Sequence, residues 1–442
     1  MYPTSEPNRA LRALEASLGI ARQFEFRATP QRRTHPPNPL LLEREGGWKE
    51  IISFFWSPLS SQERGLGDEF GAATVRSELA CKAASLPQGL KAKAIACLVL
   101  TALALSGCDR IQSALLDRQA KRVAAGDRTD WLKDGALHVI LCGTGTPLPD
   151  PERAGPCAAV IAGDQFFLID SGPGSWENIQ LWEMPRAQLS GVLLTHFHSD
   201  HIGDLGEVVT QSWIGGRTAP LKVYGPPGVD GVVAGIQQAY AGDRDYRVAH
   251  HSEAAMPRSG GLAVAQTVPL PDDGGDSLVL EEGGVRIIAF NVDHRPVVPA
   301  FGYRIEYNGR SVVITGDTAK SANVARHAQG ADVLVHEALA RHMVEQIAPR
   351  LEALNAPRLA KLTRDITTYH ATPVEAAETA KEADVRLLVL THLVPAPANA
   401  LISRLFMQGV SDAWDGKVVL GDDGMHFILP QGSTEIREEQ LG

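Results

Sequence analysis

Three observations mark the chain as an α/β protein. From Ala136 onward, short apolar runs of strand length recur, each closed by a turn rich in Gly or Pro. Histidines and aspartates gather at the C-terminal ends of those runs. Helical segments lie between and after them, one of them opened by the capping-box pattern Thr372-x-x-Glu375. The composition of the 442 residues is 44% hydrophobic, 21% charged and 6% aromatic. These are globular values, and they exclude a wholly disordered, collagenous or multi-span membrane chain.

The elements follow in order. Residues 1–90 read either as a disordered extension or as upstream sequence translated from an early start codon, because runs such as THPPNPLLLEREGG and SPLSSQERGLGDEF cannot bury enough apolar surface to offset their ordering entropy. Residues 91–107 read as a lipoprotein signal peptide. Lys91 and Lys93 precede the 11-residue apolar run Ile95 to Leu105, well short of the ~20 residues of a spanning helix. Leu105-Ser106-Gly107-Cys108 resembles a bacterial lipobox, which implies lipid attachment at Cys108. Asp109 resembles the signal for retention at the periplasmic face of the inner membrane. Residues 108–135 then form a mixed-charge tether, and residues 136–432 the folded domain.

The net charge of −10 is uneven. Residues 1–107 carry 13 Lys and Arg against 10 Asp and Glu, leaving 29 against 42 for the rest. So acidic a body argues against a nucleic-acid partner, whose phosphates need clustered Lys and Arg. The five cysteines, Cys81, Cys97, Cys108, Cys142 and Cys157, are too few for a disulfide scaffold. Cys142 and Cys157 are expected as two buried free thiols, with pairing the alternative if the domain sits in an oxidising compartment.

Within the domain, Leu137 to Leu141 is a strand closed by Gly143-Thr144-Gly145-Thr146-Pro147. Ala158 to Ala162 and Phe166 to Ile169 form a hairpin that ends in Asp170-Ser171-Gly172-Pro173-Gly174. The strand Gly191 to Thr195 runs into His196-Phe197-His198-Ser199-Asp200-His201-Ile202-Gly203. This block offers four donors within six residues. His196 and His198, two apart at a strand end, can turn to one side, and imidazole with carboxylate suits zinc, iron or manganese.

The block resembles the signature of the metallo-β-lactamase superfamily, whose fold is a four-layer αββα sandwich with metals at one edge. The resemblance implies further ligands at strand ends: His294 after Val285 to Asn291, Asp317 after Ser311 to Thr315, and His392 after Arg386 to Leu390. It implies one site of His196, His198 and His294 and a second of Asp200, His201 and His392, with Asp317 between two zinc ions (manganese or iron being alternatives). Within the superfamily, Ala300-Phe301-Gly302-Tyr303-Arg304, Val335-His336-Glu337-Ala338 and Tyr369-His370-Ala371-Thr372 resemble ribonuclease Z. That likeness implies Glu337 orienting His370 as general acid, with Asp200 also catalytic.

Two departures argue against tRNA processing. Tyr307-Asn308-Gly309-Arg310 is a tight turn where many members insert a tRNA-gripping arm, and the motif P-x-K-x-R-N is altered to Pro149-Asp-Pro151-Glu-Arg153-Ala154. The expectation is therefore a dinuclear hydrolase in the ribonuclease Z and arylsulfatase-like branch. Its substrates would be small exported esters, cleaved as by a phosphodiesterase or arylsulfatase, and its membrane partner would be met through the lipid anchor. A lactonase or other carboxylic-ester hydrolase, a tRNA 3′-end endonuclease and a non-catalytic metal-binding protein are the alternatives. Arg295, His250 and His251 are candidate substrate contacts. The residues leave the oligomeric state open.

Overall fold

The computed structural model describes residues 112–121, 126–272 and 274–442. The expected extension, the signal segment and Cys108 lie outside the described residues. The chain divides into two compact units, Met1–Ala124 and Ala125–Gly442. Among described residues the first unit holds one exposed helix, over 112–121. No helix among the described residues is long and apolar enough to cross a membrane.

The second unit is built on two sheets. The first runs, in spatial order, β15 (Arg437–Gln440), β14 (Met425–Leu429), β1 (Leu137–Gly143), β2 (Cys157–Ala162), β3 (Gln165–Ile169), β4 (Leu189–Leu193), β5 (Leu221–Gly225) and β6 (Ala263–Thr267). The second runs from β7 (Asp276–Glu282) through β8 (Val285–Asn291), β9 (Phe301–Tyr307), β10 (Arg310–Ile314), β11 (Val333–Leu339) and β12 (Leu387–Val394) to β13 (Lys417–Leu420). β1 is apolar on both faces because both are covered. Leu137, Val139 and Leu141 join Ile287, Ile305 and Val335 of the facing sheet in the core between the sheets. Ile140 and Cys142 point the other way, into the layer that covers the first sheet.

That outer layer holds α1 (Ser175–Leu181), α2 (Ser199–Ile202), α3 (Leu205–Ile214), α4 (Val229–Ala239) and α5 (Ala241–Ala255). Trp176, Val208 and Val233 of this layer lie in the core formed with Ile140 and Cys142. The second sheet is covered by α6 (Ala322–His327), α9 (Pro373–Glu382), α10 (Ala400–Phe406) and α11 (Val410–Ala413), with α7 (Arg341–Ala353) and α8 (Pro357–Asp365) inserted after β11. Val324, Ala376, Ala380 and Phe406 form that core. The arrangement is the expected αββα sandwich.

Several boundaries differ from the sequence reading. The tether ends earlier than expected, because Trp131 and Leu132 are buried in the core and Asp127 pairs with Arg186 at 2.7 Å. At the far end, β15 extends the first sheet beyond residue 432. The cysteines are corrected as well. Cys142 and Cys157 are joined in a disulfide, since the register of β1 with β2 sets Gly143 opposite Cys157 and brings the two side chains together. Their 15-residue separation had hidden a cross-strand pairing.

The buried rings of His138 and His426 stand side by side across β1 and β14, with His138 Nδ1 2.9 Å from His426 Nε2. His138 Nε2 also lies 3.0 Å from Asp134 Oδ2. Burial, followed by the charges of His138 and Arg128, lowers the His426 imidazole to about 3. Folded His426 is therefore neutral where the unfolded ring, near 6.5, takes up a proton. Its contribution is fully present above pH 6.5 and is lost as pH falls toward 3, at about 1.4 kcal/mol per unit. Urea unfolding should show that slope, and His426→Phe should flatten it by close to one proton. An unchanged slope in the variant would contradict this account.

Candidate metal centre

The candidate ligands come from separate segments that meet at one edge of the sandwich. β4 ends at Leu193, and Thr195, His196 and His198 follow it into α2, which carries Asp200 and His201. His294 follows β8, and Asp317 follows β10. The sequence reading ends the last strand before His392, but β12 continues through Val394. His392 is the extra residue at a bulge, since Glu337 pairs with Thr391 and Ala338 with Leu393. Its backbone is left-handed, with φ 48°, and the bulge re-aims its ring toward the cluster.

Two groups make up the candidate ligand set. His196, His198, His294 and Asp317 form one and Asp200, His201 and His392 the other, each with its ligand atoms within 4.8 Å of one another. A third group of Asp317, His370 and His392 overlaps both. Asp317 lies between the first two. One of its oxygens is 3.4 Å from His201 Nε2, and the other is 3.8 Å from His294 Nε2 and 3.5 Å from His392 Nε2. His196 Nε2 and His198 Nδ1 face each other at 2.9 Å. All seven are buried except His198, which stands at the open side.

A carboxylate behind the cluster orders both groups. Asp170 Oδ2 accepts from His201 Nδ1 at 2.8 Å and from the Thr195 hydroxyl at 2.7 Å, and Oδ1 accepts from the Thr195 amide at 2.8 Å. The Thr195 oxygen lies 3.0 Å from His196 Nδ1 and, having donated to Asp170, accepts from it. His294 Nδ1 donates to the Tyr369 carbonyl at 3.1 Å. His201 and His294 are thereby fixed with Nε2 unpartnered, and His196 with Nε2 turned toward His198. The residues therefore fit a pair of cations. Asp200 Oδ2, His201 Nε2, His294 Nε2, Asp317 Oδ1 and both His392 nitrogens are buried without a hydrogen-bond partner, a state that costs free energy unless an ion satisfies it.

The charges agree with this geometry. Burial raises the Asp317 carboxyl, but His392 and His201 outweigh it and hold the group well below the usual carboxylate range. Burial opposes charge on His201, yet Asp317 and Asp170 push it well up. Burial and the neighbouring His201 push His196 well down. At Gly316, φ is +61° and an added Cβ would lie 2.7 Å from Thr195 Cβ, so only glycine lets Asp317 come so close to the histidine loop.

Beside the cluster, His370 Nδ1 donates to Glu337 Oε1 at 2.9 Å. Glu337 Oε1 also accepts from the amides of Thr318 at 3.0 Å and Ala371 at 3.2 Å. The His370 ring lies between those of His294 and His392, at 5.3 and 5.5 Å. Burial would lower this imidazole, but the charge of Glu337 and its hydrogen bond raise it to about 9.

The other expected contacts stand outside the ligand groups. His250 and His251 sit side by side on exposed α5, with ring centroids 6.2 Å apart, and belong to neither group. Arg295 is exposed, and its guanidinium turns back onto Asp293, with Nη2 2.6 Å from Oδ2. The sequence reading misses Asp170, which figures there only as the start of a turn. Its place after β3, with φ 61°, marks a constrained polar residue at a strand end.

A family model described as a beta-lactamase superfamily domain matches residues 165–393. Ribonuclease Z of Mycolicibacterium paratuberculosis is 40% identical over 297 residues, covering 65% of this chain and 96% of that relative. Ribonuclease Z of Mycobacterium bovis is 41% identical over 263 residues, covering 59% of this chain and 87% of the relative. The solved structure of short-form human tRNase Z is 21% identical and covers 66% of this chain and 99% of that one, with a TM-score of 0.48.

These matches correct the expected partners. A small ester met through a lipid anchor, with nucleic acid an unfavoured partner, does not fit a chain so similar to ribonucleases over nearly their whole length. A net charge sums the whole surface, whereas nucleic-acid recognition depends on the local field at a site, so the acidic total does not exclude such a partner. The tight turn between β9 and β10 is present, and the chain nonetheless covers 96% of the Mycolicibacterium paratuberculosis relative. Asp170→Asn, which tolerates the same backbone conformation, should keep the fold by circular dichroism. It should weaken zinc retention against a chelator by about 10–100-fold. Unchanged retention would remove Asp170 from its ordering role.

Proposed function

Because the chain belongs to the metallo-β-lactamase superfamily, in its ribonuclease Z branch, and is a hydrolase of that fold, we propose that it cleaves a phosphodiester bond of RNA, as an endonuclease at the 3′ end of tRNA precursors. The single observation that carries this reading is the 40% identity to a ribonuclease Z over 297 residues. The paired Glu337 and His370 beside the seven candidate ligands add chemical support.

His196, His198, His294 and Asp317 would hold one zinc ion, and Asp200, His201, His392 and Asp317 the other. Such a pair, when bound, supplies a Lewis acid for the phosphoryl oxygens and water acidified enough to attack near neutral pH. The residues of the chain do the rest. Asp170 keeps the lone pairs of His201 and His196 turned inward. The sheets behind the cluster exclude bulk solvent, while exposed His198 leaves one side open to a large substrate. Glu337 takes one nitrogen of His370, which leaves the other to give a proton to the departing ribose oxygen.

Purified chain loaded with zinc should cut a tRNA precursor once, releasing the 3′ trailer, and chelation should abolish the cut. His370→Ala should lower the rate by about 10²–10⁴-fold with zinc content unchanged. A zinc-loaded, folded protein that leaves precursor RNA intact would overturn the reading.

A further inference from the structure

We infer that Arg341 is a positioning residue for the proton transfer, clasping from outside the loop that carries His370. The inference rests on the reading of His370 as the acid. Arg341 opens α7 just after β11, the strand that bears Glu337. Its guanidinium reaches two carbonyls of the loop and a carboxylate in the first turn of α9. Nε donates to the Thr367 carbonyl at 3.2 Å, Nη2 donates to the carbonyl of His370 itself at 3.3 Å, and Nη1 and Nη2 donate to the two carboxylate oxygens of Glu375 at 3.3 and 3.2 Å. Glu375 passes the restraint back to the loop, accepting from the Thr372 amide at 2.7 Å, while Thr372 Oγ1 accepts from the Glu375 amide at 3.1 Å.

The same loop reaches inward at each successive residue. The Tyr369 carbonyl receives His294 Nδ1, His370 donates to Glu337, and the Ala371 amide donates to Glu337. Displacement of this backbone therefore moves the acid against the cluster. Packing does little to prevent that on the side leading in. α7 and α8 bury only Val344, Ala348 and Ala360, and leave Leu359 and Leu362 exposed, as is Leu354 between them. A segment so thinly packed opens at low cost. Only a planar fork can span two carbonyls and a carboxylate at once, a geometry that lysine lacks.

A proton donor matters when the leaving oxygen is a poor leaving group, such as a ribose alkoxide. p-Nitrophenolate departs without one. Full-length, zinc-loaded Arg341→Gln should therefore lose about 10–100-fold in kcat on precursor tRNA, with KM and zinc content unchanged. Its loss on bis-p-nitrophenyl phosphate should be at least ~10-fold smaller. Arg341→Lys should fall between, and added guanidinium should restore part of the RNA cleavage of Arg341→Ala. Equal losses on both substrates, loss of zinc, or undiminished RNA cleavage would each overturn the inference. His370→Ala run in parallel separates the two levels. If it shows no dependence on the leaving group, the acid reading fails and takes this inference with it. If it shows that dependence and Arg341→Gln does not, the positioning role alone fails.

Discussion

The Asp170 carboxylate is the interaction on which the rest of the centre depends. It restrains His201 directly and His196 through Thr195, so one buried anion sets the rotation of a histidine in each candidate ligand group. Its two oxygens take three donors, two of them from a single residue, because Thr195 offers both its amide and its hydroxyl. Without that anion, both imidazoles could turn their protonated nitrogens inward, and the inward lone pairs would be lost together. The centre therefore behaves as one electrostatic unit, with Asp170 behind it and Asp317 within it.

The sandwich supplies what the side chains alone could not. β4, β8, β10 and β12 all deliver their C-terminal ends to the same edge, so residues far apart in sequence converge without a long loop. Two local devices refine the approach. Gly316 lets the chain before Asp317 pass against Thr195, and the bulge at His392 turns one ring out of the strand alternation. Glu337 lies opposite Thr391, beside that bulge. One irregularity in the ladder thus serves both the ligand group and the acid pair.

Much of this was legible in the sequence, for identifiable reasons. The histidine-rich block after β4 compresses four donors into six residues, and the family resemblance that block carries implied the remaining candidates at the ends of apolar runs. The structure brings all seven together with His370 and Glu337. What was hidden depended on register or on partners distant in sequence. Cys142 and Cys157 are paired by the alignment of β1 with β2, which no spacing rule contains. Asp170 looked like turn chemistry because its partners, Thr195 and His201, lie beyond another strand and on a helix. Arg341 was one cation among many until its carbonyl partners were in place. A whole-chain charge total could not exclude a nucleic-acid partner, because such recognition rests on a local property.

The pairing of β1 with β14 joins His138 to His426, 288 positions apart, and the last candidate ligand arrives only with β12. During synthesis the histidine-rich loop leaves the ribosome long before its complement exists. Four donors are then offered on an unsupported segment, with neither Asp317 nor His392 to finish the set. Closure of the two sheets over such separations is slow, since loop entropy must be overcome before the contacts form. A nascent chain stopped before residue 387 carries the most conspicuous candidate ligands without His392, the last of the set.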